Sequence, residues 1–178
     1  MTTLILNPRV CLHRLAAILG LMAMSSGVHA QWSTTSVDNT VNSPVDHGAR
    51  VINDNGASLQ IYQNSDQQLV SEFKLGQGLV NLDPVTCPTL QIDQVEPEDF
   101  NNHQHQCVIN GDSAVFTLTQ ISEGQVDSKT FLELMNGSQL VIRYRLQGAG
   151  YGQQKFSLKG SKQVLKSTLT QGTVVLGD

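Results

Sequence analysis

Two histidines, His103 and His105, stand just ahead of Cys107 in a stretch that also carries Glu96, Glu98 and Asp99. Side chains at i and i+2 of an extended strand project from one face, so this spacing can bring two imidazoles onto one metal ion. The nearby carboxylates are of the type that completes such a shell, yet spacing sets no third ligand. The competing reading is a polar, solvated loop held by a cystine, and the residues favour it. Nucleophilic chemistry finds less material. After residue 30 the histidines are His47, His103 and His105, and no Gly-x-Ser-x-Gly elbow is present. Glu96 and Glu98 flank Pro97 in a loop, which is a poor platform for paired-carboxylate catalysis. An enzyme built from residues distant in sequence stays open as an alternative, because spatial proximity cannot be read from the chain.

Cations supply the other candidate. Arg143 and Arg145 alternate with apolar residues in a strand-like run, and Lys155, Lys159, Lys162 and Lys166 follow closely. From Gln31 to Gly137 there are 14 acidic and 3 basic residues, whereas Ser138 to Asp178 holds 1 acidic and 6 basic. Arg143, Arg145, Lys155, Lys162 and Lys166 are therefore the expected contact residues for a protein or an anionic envelope component. The other reading is internal, with the basic C-terminal part balancing the acidic remainder.

The N-terminus tells where such a surface would act. Arg9 and Arg14 precede an apolar run from Leu15 to Met24, followed by Ser25-Ser26-Gly27 and Val28-His29-Ala30. Basic, then apolar, then small residues at a scissile site is the pattern of a cleavable secretory leader. Its 10 apolar residues fall short of the roughly 20 needed to span a bilayer. Cleavage after Ala30 is expected to leave a periplasmic or secreted chain of 148 residues without a transmembrane segment. That chain has 9 Lys+Arg against 15 Asp+Glu, a balance unlike that of nucleic-acid binders. Its two cysteines, Cys87 and Cys107, read as one disulfide, because an oxidising compartment favours the bond. No cofactor is expected.

The remaining residues alternate in short runs separated by turn formers, which predicts an all-β, mainly antiparallel domain over 49–178, a single β-sandwich or barrel-like body. Residues 31–48, rich in Ser, Thr, Asn and Asp, read as an irregular lead-in pinned by Trp32. Asn53-Asp54-Asn55-Gly56 and Asn110-Gly111 mark hairpins. The clearest strand runs over 138–147, with Leu140, Ile142, Tyr144 and Leu146 on one face and Val141, Arg143 and Arg145 on the other. The glycines of Gly148–Gly152 read as a hairpin loop and not as a phosphate cradle, since no helix follows a parallel strand there. Two short helices are expected, one over 128–136 capped by Ser128, the other over 161–170 capped by Ser161. A last strand is expected over 173–176.

Three segments together carry a family likeness: Phe131-Leu132-Glu133-Leu134-Met135-Asn136-Gly137, Leu140-Val141-Ile142-Arg143-Tyr144-Arg145, and Phe156-Ser157-Leu158-Lys159-Gly160-Ser161-Lys162. A short helix ending in glycine before a strand, then a Phe-Ser-Leu strand before a helix, resembles the invasion-associated locus B family and small periplasmic proteobacterial proteins akin to it. The resemblance implies a β-sandwich in the bacterial envelope or outside the cell, without enzymatic chemistry. The N-terminal part matches no cysteine pattern of that family, and there are no catalytic residues to transfer. The sequence thus leads to a non-enzymatic exported binding module. A periplasmic metal-binding protein using His103 and His105 is the alternative.

Overall fold

A computed structural model describes residues 31–37, 46–76, 78, 80–99 and 107–178. Its strands are β1 (Ser33–Val37), β2 (Asp46–Ile52), β3 (Ser58–Gln63), β4 (Gln68–Lys74), β5 (Thr89–Ile92), β6 (Glu98–Asp99), β7 (Cys107–Asn110), β8 (Ser113–Gln120), β9 (Gln125–Val126), β10 (Gln139–Leu146), β11 (Ala149–Ser157) and β12 (Val174–Val175). The helices are α1 (Lys129–Asn136) and α2 (Ser161–Ser167). One sheet has the order β1-β2-β3-β4-β8-β7, a second the order β11-β10-β5-β6, and β9 pairs with β12 in a small parallel ribbon. All other pairings are antiparallel. Neither main sheet closes on itself, so the molecule is all-β but not a barrel.

Alternation in the sequence builds the core directly. Leu59 and Ile61 of β3, Leu69 and Phe73 of β4, and Ala114, Phe116 and Leu118 of β8 turn inward from the larger sheet. Leu90 and Ile92 of β5, Leu140, Ile142 and Tyr144 of β10, and Phe156 of β11 turn inward from the smaller one. Phe73 joins the layers, its ring centroid 5.5 Å from that of Tyr144 and 6.4 Å from that of Phe156. The hairpin turns lie where Gly56 and Gly111 take positive φ, which lets the chain reverse without a Cβ clash. Cys87 and Cys107 form a disulfide, linking the approach to β5 in one sheet with the first residue of β7 in the other.

The segment expected to be an irregular lead-in contains β1 and the start of β2. β1 reads Ser-Thr-Thr-Ser-Val and lacks an apolar face, so no alternation announces it. Its order comes from backbone pairing with β2 and from Trp32, whose buried indole donates Nε1–H to the Ser157 carbonyl at 2.9 Å.

Around the helices the sequence reading holds in outline and shifts in detail. Ser128 caps α1 as expected, its Oγ accepting from the Phe131 N–H at 3.2 Å. Gly137 ends α1 without a left-handed turn; a Cβ there would lie 2.6 Å from Ile92 Cγ2 and 2.8 Å from the Glu133 carbonyl. Close packing is thus what asks for glycine at 137. α2 is shorter than expected, and Ser161 does not cap it. Gly160 occupies the cap position with φ 84°, freeing the buried Ser161 hydroxyl to donate to the Leu134 carbonyl at 2.7 Å. The residue read as a helix start instead bonds α2 to α1. The last strand is present as β12, though only two residues long.

Candidate functional site

The outward row of β10 is the second half of the alternation that fills the core. While Leu140, Ile142 and Tyr144 point inward, Arg143 and Arg145 are exposed on the opposite side, and Val141 between them and the helix end is largely covered. Register extends this row sideways. Val141, Arg143 and Arg145 stand opposite Lys155, Gln153 and Tyr151 of β11, and Val141 and Arg143 stand opposite Gln91 and Thr89 of β5. Residues from three strands, separated by up to 66 positions in sequence, therefore share one outer face.

Arg143 donates Nη1–H to Gln91 Oε1 at 2.8 Å. A neutral amide orients the guanidinium, which forms no ion pair among the described residues. Arg145 is held from two sides, by an ion pair with Asp83 at 3.2 Å and by the Tyr151 ring, whose centroid is 5.9 Å from the guanidinium carbon. The arginine of this pair is half exposed although Asp83 is largely covered, so solvent screening leaves a stabilisation of about 1 kcal/mol; its effect is to fix the arginine's direction. Tyr151 is 80 % exposed, and its ring, with the Arg145 guanidinium over it, is part of the face. Lys155 is exposed and makes no ion pair among the described residues.

Hairpin geometry places Tyr151 there. The turn between β10 and β11 is Gln147-Gly148, where Gly148 takes φ 69°, and a register shift between Arg145 and Leu146 adds twist. β11 begins at Ala149, so most of the glycine run expected to be loop is strand. Gly152 is required by contact: a Cβ there would meet Tyr144 ring atoms at 2.6 Å. The sequence marked Tyr151 as an exposed aromatic in the glycine-rich turn but offered no sign that Gln91 and Asp83 would complete this face, since they meet through register and not through spacing.

The five cations expected to act together are divided by the structure. Arg143, Arg145 and Lys155 share the outer face. Lys162 and Lys166, one turn apart on α2, both pair with the Asp178 carboxylate, and Lys162 also donates to Asn136 Oδ1 at 3.1 Å. These two lysines are paired within their own basic segment, by its single acid, and not with the acidic remainder of the chain. Hydrogen bonds from Lys162 and then Lys166 hold the Asp178 carboxyl below its ordinary range, against a smaller opposing effect of desolvation. A depressed folded pKa means the contact is fully present above the ordinary carboxylate pKa of about 4 and is lost as pH falls through the lower folded value. Amides of 174–178 are therefore expected to lose protection, relative to their intrinsic exchange rates, as the medium is acidified below about pH 4, and Asp178→Asn should remove that pH step. Pairwise hydrogen-exchange profiles of the two proteins across acid pH would check this, and identical profiles would contradict it.

His103 and His105 lie outside the described residues. Among the described residues no group of three His, Cys, Asp or Glu side chains is arranged to hold a metal ion. Glu98 accepts a hydrogen bond from the Thr130 hydroxyl of α1, in a cleft of about 300 Å³ that also gathers Glu96, Lys129 and Glu133. Lys129 and Glu133 pair at 3.5 Å. His47 is on β2, opposite Ser36 of β1, and does not line that cleft. No described helix is long and apolar enough to cross a membrane.

No family model, no curated protein and no solved structure matches this chain.

Proposed function

We propose that the protein is exported, loses residues 1–30 as a secretory leader, and acts without chemistry of its own as a periplasmic or secreted binding module. The observation carrying this reading is the cationic outer face on which Arg143 and Arg145 stand in register with Gln153 and Tyr151, with Lys155 next along the same strand. Its partner is a negatively charged protein or envelope component. The disulfide supports an oxidising compartment, where such bonds persist. A relation to the invasion-associated locus B family remains part of the proposal. It rests on the sequence likeness alone.

The net charge of the mature chain is negative, so binding to an anion depends on a local field. Within about 8–10 Å of the face, at moderate salt, that field is set by the arginines and Lys155. The processed protein should be retained on an immobilised sulfated polysaccharide at low salt, and Arg143→Glu/Arg145→Glu should elute at clearly lower salt. Both arginines are exposed, so the fold should persist, with a modest fall in melting temperature because Arg145→Glu sets a second carboxylate beside the largely covered Asp83. Equal elution of the two proteins would overturn the assignment of this face. Recovery from cells of a chain that does not start near Gln31 would overturn export with cleavage.

A further inference from the structure

Four strands end the two main sheets: β1, β7, β11 and β6. β11 is the longest, with nine residues against five, four and two. Its free edge is occupied along only half its length. In β11 the backbone groups of alternate residues point either to β10 or away from it. Leu158 N–H, one residue past the strand, bonds to the Ser138 carbonyl, which places Phe156, Gln154 and Gly152 on the β10 side. Lys155 and Ser157 therefore face outward, and their carbonyls accept from Asn53 Nδ2 at 3.2 Å and Trp32 Nε1 at 2.9 Å. Continuing the alternation, the N–H and C=O of Tyr151 and Gln153 and the N–H of Lys155 also point outward. They meet no partner among the described residues.

We infer that this open half-edge of β11, Tyr151 to Lys155, receives an extended acidic peptide segment of a partner protein as an added strand. The inference rests on the function proposed above and gives it a binding mode. Backbone hydrogen bonds supply affinity in strand addition, while side chains at alternate positions supply selectivity. On the outer face the incoming strand would lie beside Tyr151, Gln153 and Lys155, with Arg143 and Arg145 in the next row. Against these three cations stand Asp83, paired with Arg145, and Asp99, which is in register with Thr89 on the side of the sheet away from β11. Carboxylates at every second position of the peptide would thus meet Lys155 and the Arg145–Tyr151 platform. A lysine on an open edge also deters pairing with unselected strands. A second copy of this chain would set another cationic row beside the first, which charge disfavours.

The geometry makes a pattern that a merely electrostatic contact would not produce. A capped peptide alternating glutamate with valine, added to the processed protein, should slow amide exchange at Tyr151, Gln153 and Lys155. Gly152 and Gln154, already bonded to β10, should be unaffected. Gln153→Pro removes an outward N–H that the fold does not use, so the edge tolerates it, yet the ring blocks an added strand. It should weaken peptide binding at least about tenfold, equivalent to about 1.4 kcal/mol. The same peptide N-methylated at alternate amides, tested on the unmodified protein, should lose binding to a similar degree and does not depend on a variant folding.

Undiminished binding of the methylated peptide would overturn strand addition while leaving the cationic face intact. So would absence of peptide binding when polysaccharide retention still depends on Arg143 and Arg145. Loss of both peptide binding and charge-dependent retention would remove the proposed function as well. Protection of the same amides that rises with protein concentration alone would give the edge to a second copy and overturn the inference.

Discussion

Phe73→Ala is expected to lower the unfolding free energy by about 3–5 kcal/mol, enough to consume a large part of the 5–15 kcal/mol typical of a domain. Phe73 is fully buried in the middle strand region of the six-stranded sheet. Its ring is the element of that sheet that reaches both Tyr144 and Phe156 in the four-stranded one. Truncation removes the ring's transfer energy and also leaves a void between two pleated surfaces that cannot collapse without moving whole strands. Phe73→Leu should cost much less, because most of the volume is kept. Chemical denaturation of the three proteins checks the ordering. A loss below about 1 kcal/mol for Phe73→Ala would mean that the layers do not meet at this residue.

Cys87→Ser is expected to destabilise by about 3 kcal/mol in oxidising buffer, from the chain entropy of the loop that the bridge closes. Cys87 and Cys107 are 20 positions apart, and the bond ties the entry of β5 to the edge strand β7. Without it, β7 is held to its sheet by four residue pairs with β8. For a chain of this size the loss corresponds to a melting temperature lower by about 6–12 °C. In strong reductant the two proteins should melt together. Coincident curves in oxidising buffer would show that the bridge is missing or carries no stability.

The strands that alternate were legible as strands because period-two burial is written in residue type. Leu140, Ile142 and Tyr144 of β10, and Ala114, Phe116 and Leu118 of β8, are buried as their spacing implies. The α1 cap was legible for a similar reason, since Ser128 meets a local demand of the helix start. β1 was not, because nothing in Ser-Thr-Thr-Ser-Val distinguishes paired backbone from unpaired backbone. Ser161 misled because a serine ahead of a helix is ordinarily a cap, whereas here a left-handed Gly160 takes that position. The candidate site divided along the same line. Arg143 and Arg145 were found by alternation alone. That Lys155 would join them, and that Lys162 and Lys166 would turn to Asp178, depends on register and on the path of the chain end. That no described residue pairs with the outward backbone groups of Tyr151 and Gln153 is likewise a matter of what packs beside β11, and no residue type encodes that.

Trp32 is the single tryptophan of the chain, and its buried indole is bonded to the carbonyl of Ser157 at the far end of β11. The tryptophan fluorescence of the protein is therefore the optical signature of one joint, where β1 begins beside the end of β11. Emission should be blue-shifted while that joint is seated and move to the red as water reaches the ring. No dye or label is needed to follow it. In a thermal ramp, a red shift that precedes the loss of far-ultraviolet dichroism would identify the N-terminal strand as the part of the larger sheet that opens first.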